Sequence, residues 1–254
     1  MTDHCVVCGL PVARATLREQ VEHVVERAAS GNGAWVLTLN TEMLARFALE
    51  PGYRELVAQA DVITADGMPL VWASRVQGPD RAIPGRTTGV DFVHAFLQVT
   101  SLPRYAIIGG VEPAATLAQY SPEAQAACGY LFSGRVDLSD TQISEFVHSL
   151  RGAHVRVLFL ALGVPKQDQL ALKMRQAMPE LVILGVGGTF EILGPQGSRA
   201  PGWMQSAGLE WLFRLGREPG RLWKRYVLRY PFGIALLASD TFRSWWSTRH
   251  RRSR

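Results

Sequence analysis

The stretch AWVLTLNTEMLARFALEPGYRELVAQADVITADGMPLVWASRV, residues 34–76, runs twice through one pattern. Ala34 to Leu39 is an apolar run that reads as a strand and stops at Asn40. Asn40 or Thr41 caps a short helix through Leu49, which Pro51 interrupts. Asp61 to Thr64 reads as a second strand, ending in Asp66-Gly67, and a helix follows from about Pro69 to Val76. Strand, helix, strand at this rhythm implies right-handed crossovers and a parallel sheet with helices on both faces.

The pattern continues in both directions. Upstream, Thr16 and Glu19 form a capping box for a helix that runs to Ser30 and stops at Gly31. Downstream, a helix from Val90 to Val99 precedes a strand from Tyr105 to Ile108 that ends in Gly109-Gly110. Tyr130 to Phe132, Val155 to Leu160 and Leu181 to Val186 are further strands, each beside a helical segment. After Gly194 the alternation stops. Helices are expected from Gly208 to Gly216, from Pro219 to about Arg229, and from Pro231 onward. The expected architecture is α/β: a doubly wound, mainly parallel, Rossmann-like sheet over residues 1–198, followed by a helical, membrane-associating appendage over 199–254.

Charge divides the chain at the same place. Residues 199–254 carry twelve Arg and Lys against three Asp and Glu, whereas residues 1–198 carry fifteen against nineteen. Five of the seven tryptophans (Trp203, Trp211, Trp223, Trp245 and Trp246) also lie in the last part. A mildly acidic body with a basic, Trp-rich end points to chemistry in the body and attachment to an anionic, partly apolar surface through the end. Met1 to Gly9 has no apolar core run of the secretory kind. The greasy stretch from Val227 to Ala238 is broken by Arg229, Tyr230 and Pro231 and falls short of the ~20 residues that a spanning helix needs. Cys5, Cys8 and Cys128 make no disulfide framework, and the Cys5/Cys8 pair at the N-terminus has no second ligand pair for zinc. No DxD motif and no His pair at metal spacing is present, so no metal and no cofactor is expected.

In doubly wound sheets ligands bind at the carboxyl ends of strands. Asp66 is there, after an apolar strand and directly before a glycine, where partial burial would suit a carboxylate to take a proton from a hydroxyl. Its alternative role is to cap the helix that starts near Met68. Gly109-Gly110, Gly163 and the run Gly185 to Gly188 each read alone as tight turns; at strand ends of one sheet they are together consistent with a nucleotide site. Lys166 and Gln167 open the helix after Gly163, and Arg86 lies in a loop from which it can pair with phosphate or stay solvated. Arg214, Arg217, Arg221, Lys224 and Arg225 recur at helical spacing with Trp and Leu between them. The missing GxGxxG argues against a dinucleotide-dependent oxidoreductase. A nucleic-acid-binding module would leave the polar strand ends without a role.

In order and spacing these segments resemble the WecG/TagA/CpsF family of bacterial glycosyltransferases. The matching text is TLN at 38–40, ADGMPLV at 65–71, Gly85-Arg86 with Gly89-Val90-Asp91, LGVPKQD at 162–168, GVGGTFEILGP at 185–195 and RAPGWMQSAGLEWLFRLGREPGRLWKRY at 199–226. The resemblance runs from about Gly9 to Tyr226. Asp168 stands where the family usually has Glu, Glu191 where it usually has Asp, and Gly194-Pro195 where it has Ala-Gly.

The resemblance implies an inverting, metal-independent transfer of a hexose-type sugar from a UDP-sugar to a polyprenyl-diphosphate-linked sugar. The sugar would be N-acetylmannosamine, glucose or a uronic acid, and the reaction would serve cell-surface polysaccharide or teichoic acid synthesis. The protein would sit peripherally on the cytoplasmic face of the cell membrane, bind no nucleic acid, and have a self-associating body. The catalytic aspartate falls on Asp66, and other active-site polar residues fall on Thr38, Asn40, Arg86 and Gln167. Arg214, Arg221 and the Lys224-Arg225 pair would grip the acceptor diphosphate. Gly109-Gly110, Gly163, Gly187-Gly188 and Lys166 would face the donor diphosphate, with Glu191 against ribose or uracil.

Overall fold

The computed structural model describes residues 3–224, 227 and 229–251. The chain opens on an antiparallel hairpin, β1 (His4–Val7) and β2 (Leu10–Ala13), upstream of the first element expected from the sequence. Its two-residue turn is Cys8-Gly9, at φ 50° and 81°. Turns of this hand match the twist of the flanking strands, and glycine is the natural second residue. The Cys5/Cys8 pair is therefore part of a sheet edge. Cys5 is buried, and burial with the Asp240 carboxylate pushes the Cys8 thiol up to about 12.

Helix α1 (Leu17–Ser30) has the expected box: Thr16 N–H donates to Glu19 Oε2 at 2.7 Å, and Gly31 closes it in the left-handed region at φ 71°. Then follow β3 (Ala34–Leu39), α2 (Thr41–Leu49), α3 (Pro51–Val57), β4 (Val62–Ala65) and α4 (Met68–Val76). Pro51 ends one helix and opens the next, where its missing N–H costs nothing. The body continues with α5 (Gly89–Phe96), β5 (Tyr105–Gly109), α6 (Pro113–Leu117), α7 (Pro122–Ala127), β6 (Cys128–Phe132), α8 (Asp140–Gly152), β7 (Val157–Ala161), α9 (Lys166–Ala177), β8 (Val182–Gly185) and α10 (Thr189–Leu193). No strand follows among the described residues. The chain there forms α11 (Gly202–Ser206), α12 (Glu210–Arg217), α13 (Pro219–Lys224) and α14 (Tyr230–Arg251).

The eight strands form one sheet in the order β1-β2-β4-β3-β8-β7-β5-β6, parallel except for the β1–β2 hairpin. Side chains alternate between two cores. Trp35, Leu37 and Leu39 face a layer built from α2, α3, α4, α8 and α9. Val36, Phe159 and Leu184 face the opposite layer, with α1, α5 and α10. Both faces are covered, so the strands read as near-continuous apolar runs.

The C-terminal helices lie on the body. Helix α14 packs against α2 and α4, and Leu237 is buried in the first core. Cys8 N–H donates to Asp240 Oδ2 at 2.8 Å, which ties α14 to the hairpin. Gly233 lies so close to the Thr41 carbonyl that no Cβ fits between them. No helix among the described residues is long and apolar enough to cross a membrane. Gly233→Val should therefore lift the start of α14 from α2 and lower stability by about 1–3 kcal/mol, the usual range for overpacking. Thermal melting and limited proteolysis within α14 would check this; unchanged melting and protection would show that α14 is not seated there.

Candidate active site

The carboxyl ends of β3, β4, β7 and β8 open into a cleft of about 580 Å³, closed on the outside by α12, α13 and the start of α14. Asp66 N–H donates to the Leu39 carbonyl at 2.7 Å, which sets the end of β4 level with the end of β3. The cap position of α4 is Gly67, at φ 132°, a conformation in which glycine is unstrained. Asp66 is thus not the helix cap, and its place is in the cleft wall. Thr87 N–H donates to the Ala65 carbonyl at 2.8 Å and brings the Arg86 loop to the same edge.

Two of the polar residues expected here act on the cleft's own wall. The Thr38 hydroxyl donates to the Gly185 carbonyl at 2.7 Å. The Gln167 side chain, 3% exposed, accepts from Gly187 N–H at 2.9 Å through Oε1. Its amide end fills the space where a side chain at Gly185 would go. Together they fasten the turn from β8 into α10, where Gly187 takes φ 55°. Asn40 Oδ1 accepts from Met43 N–H at 3.1 Å and caps α2.

Asp168, beside Gln167, points away from the cleft. It is 1% exposed and accepts the Tyr53 hydroxyl at 2.7 Å. Burial raises its pKa to about 6, with Tyr53, Arg46 and Gln167 pulling the other way.

Arginines and carboxylates alternate around the opening. Arg86 donates to Glu210 Oε2 at 2.8 Å and to Gln205 Oε1 at 2.9 Å, both from the C-terminal segment. Arg214 and Glu191 converge over Gly188, where a Cβ would lie within 3.1 Å of Arg214 Nη2 and 2.9 Å of Glu191 Oε2. Arg229 donates to Glu42 Oε1 at 3.2 Å. Trp211 and Tyr230 pair at 5.7 Å between ring centroids in the outer wall.

The structure therefore brings Asp66, Thr38, Asn40, Arg86, Gly163, Gln167, Gly187, Gly188, Glu191 and Arg214 to one cleft. Three expected residues lie elsewhere. Lys166 Nζ donates to the Val136 carbonyl at 2.8 Å, on the outer side of α9, so it is no cleft cation. Gly109 and Gly110 are small for packing reasons: side chains there would strike the Ala161 carbonyl and the Phe190 side chain. Arg225 lies outside the described residues, as do the side chains of Arg221 and Lys224, although Leu222 between those two lines the cleft. Sequence reasoning missed Glu42, Arg46, Glu210, Arg229 and Tyr230 as cleft residues. Only the i,i+4 pairing of Glu42 with Arg46 left a trace in the sequence.

A cleft at the carboxyl edge of a doubly wound sheet, with a carboxylate among arginines, is the site of an enzyme that handles an anionic, nucleotide-like ligand. A model of the glycosyl transferase WecG/TagA/CpsF family matches residues 5–248, nearly the whole chain. The chain belongs to this family and is a glycosyltransferase of cell-surface polysaccharide synthesis. Membership implies a nucleotide-sugar donor and a lipid-linked acceptor.

Asp168 gives a pH signature. Its folded pKa is raised, so the stability it contributes is present below its unfolded value, near 4, and is lost as pH rises through about 6. Asp168→Asn keeps an acceptor for Tyr53 and removes the charge. The variant should gain on the wild type in chemical denaturation between pH 4 and pH 7; a difference independent of pH would show that Asp168 is not held protonated by burial.

Proposed function

We propose that the chain transfers a hexose-type sugar from a UDP-sugar to a polyprenyl-diphosphate-linked sugar, with inversion and without a metal. N-acetylmannosamine, glucose or a uronic acid is the sugar. The observation that carries this reading is the seat of Asp66, in the wall of a cleft that arginines rim. The acceptor hydroxyl attacks C1 of the donor sugar and passes its proton to the Asp66 carboxylate. The bond from C1 to the UDP oxygen breaks on the opposite side, and UDP leaves with the electron pair. Charge grows on that diphosphate, and Arg214 with the main-chain N–H groups at the start of α10 is suited to stabilise it. We place Arg214 on the donor side, because it shares Gly188 with Glu191. Arg221, Lys224 and Arg225 stay assigned to the acceptor diphosphate. Thr38 and Gln167 hold the glycine turn in place, and Asn40 fixes α2 beside Asp66.

Residues 1–198 form the catalytic body in this reading, and 199–254 bring the acceptor from the cytoplasmic membrane surface. Exposed Trp203, Leu212, Trp223, Phe242 and Trp246 support peripheral attachment. Trp245 and the last basic run, Arg249 to Arg254, belong to the same reading, though the side chains of Trp245 and of that run lie outside what the structure describes.

Asp66→Asn should fold normally and lower turnover by about 10²–10⁴-fold, the usual worth of a general base. It is checked by steady-state transfer to a short-chain lipid-diphosphate sugar, and near-full activity would remove the base assignment. Wild-type activity should survive EDTA, because arginines supply the charge that a divalent ion supplies elsewhere. Loss on chelation, with recovery on adding Mg²⁺ or Mn²⁺, would contradict that part.

A further inference from the structure

The cleft has two walls, on opposite faces of the sheet. Helix α10 belongs to one face and α2 to the other. Arg214 lies against the α10 wall at Gly188, and Arg229 lies against the α2 wall at Glu42. The other two cleft arginines among the described residues are committed. Arg86 is held by Glu210 and Gln205, and Arg46 by both oxygens of Glu50 at 3.0 and 3.1 Å, with Glu42 at 3.6 Å.

Arg229 differs from them. Among the described residues its one hydrogen bond is through Nη1 to Glu42, which leaves Nε and Nη2 for a ligand. The pair is asymmetric: the Glu42 side chain is 7% exposed and the Arg229 side chain 43%. Glu42 also has Arg46 beside it. The carboxylate is thus a buried anchor, and the guanidinium is the partner that faces the opening.

An inverting displacement sets incoming and leaving groups on opposite sides of C1. Where both substrates carry a diphosphate, cations are needed on both walls. Arg214 and the glycine turn occupy one. On the other, Arg229 lies in the chain between α13 and α14, in a stretch that exposes Trp223, Val227, Phe232 and Ile234. A cleft cation carried on a segment that exposes apolar side chains matches a diphosphate esterified to a lipid, and not a nucleoside diphosphate. On the reading of function given above, we propose that Arg229, held by Glu42, is a specificity-determining residue for the acceptor and binds a phosphate oxygen of its lipid diphosphate.

Two measurements on the full chain separate this claim from that reading. In steady-state assays that vary each substrate in turn, Arg229→Ala should raise KM for a short-chain lipid-diphosphate sugar by about tenfold or more and leave KM for the UDP-sugar within about twofold. Arg229→Lys should recover part of the loss, since it restores the charge without the fork. Glu42→Gln, which removes the anchor and keeps the cation, should cost less than Arg229→Ala. A rise in the UDP-sugar KM instead, or equal losses in Arg229→Ala and Glu42→Gln, would overturn the proposal and leave Arg229 as a donor contact or a structural tie. Calorimetric titration with farnesyl diphosphate and with UDP needs no turnover. Arg229→Ala should weaken binding of farnesyl diphosphate and not of UDP. Equal affinities of wild type and variant for farnesyl diphosphate, or no binding of it by the wild type, would overturn the proposal even if no sugar transfer is found.

Discussion

The parallel strands of this sheet are packed against apolar helices on both faces, and that constraint decides where chemistry can sit. Trp35, Leu37 and Leu39 fill one core and Val36 the other, so no polar side chain of β3 can be placed along the strand without a partner. Thr38, the exception, donates its hydroxyl to Gly185. Polar groups collect at the carboxyl edge, where strands end and helices begin. Asp66, Asn40 and the turn at Gly187 all lie there because β4, β3 and β8 are neighbours in register. Strands far apart in sequence thus deliver their ends to one place.

The edge alone is an open groove. The C-terminal segment makes it a cleft, and among the described residues ion pairs of opposite sense join the two at its rim. Arg86 of the body meets Glu210 of the segment, and Glu42 of the body meets Arg229 of the segment. Neither pair has to be strong for this purpose, since partly exposed pairs are worth little in stability. Their effect is placement. They set Trp211, Arg214 and Tyr230 across from Asp66, with buried Leu237 and the Gly233 contact holding α14 behind them. The exposed aromatic and aliphatic side chains of the same segment face outward. One stretch of chain therefore closes the site and presents an apolar surface next to it.

Much of this was legible in the sequence, for physical reasons. A parallel strand buried on both faces leaves a continuous apolar run, and its end is marked by the residues that start the next helix. That is why Asn40, Asp66, Gly163 and Gly187 could be placed at the edge from order alone. The hairpin at Cys8-Gly9 was not legible, because its strands are four residues each and one contains Pro11. Lys166, Gly109 and Gly110 show a second limit. Sequence puts a residue at a strand or helix end but not on the inner or outer side of it. Lys166 turned out to hold a carbonyl 30 positions away, and the glycine pair to make room for β7 and α10. Arg229 was the least legible. Its meaning depends on Glu42, 187 positions earlier, and it reads in sequence only as an interruption of an apolar run.

In the proposed function this cleft joins a nucleotide-linked sugar to a lipid diphosphate-linked one. The most direct measurement is the mass of the product after the protein is incubated with a short-chain lipid-diphosphate sugar and each of a panel of UDP-sugars. An acceptor heavier by one sugar residue is expected, formed with one UDP-sugar and released together with UDP. An acceptor of unchanged mass with every sugar of the panel, or UDP-sugar consumed by water alone, would contradict it.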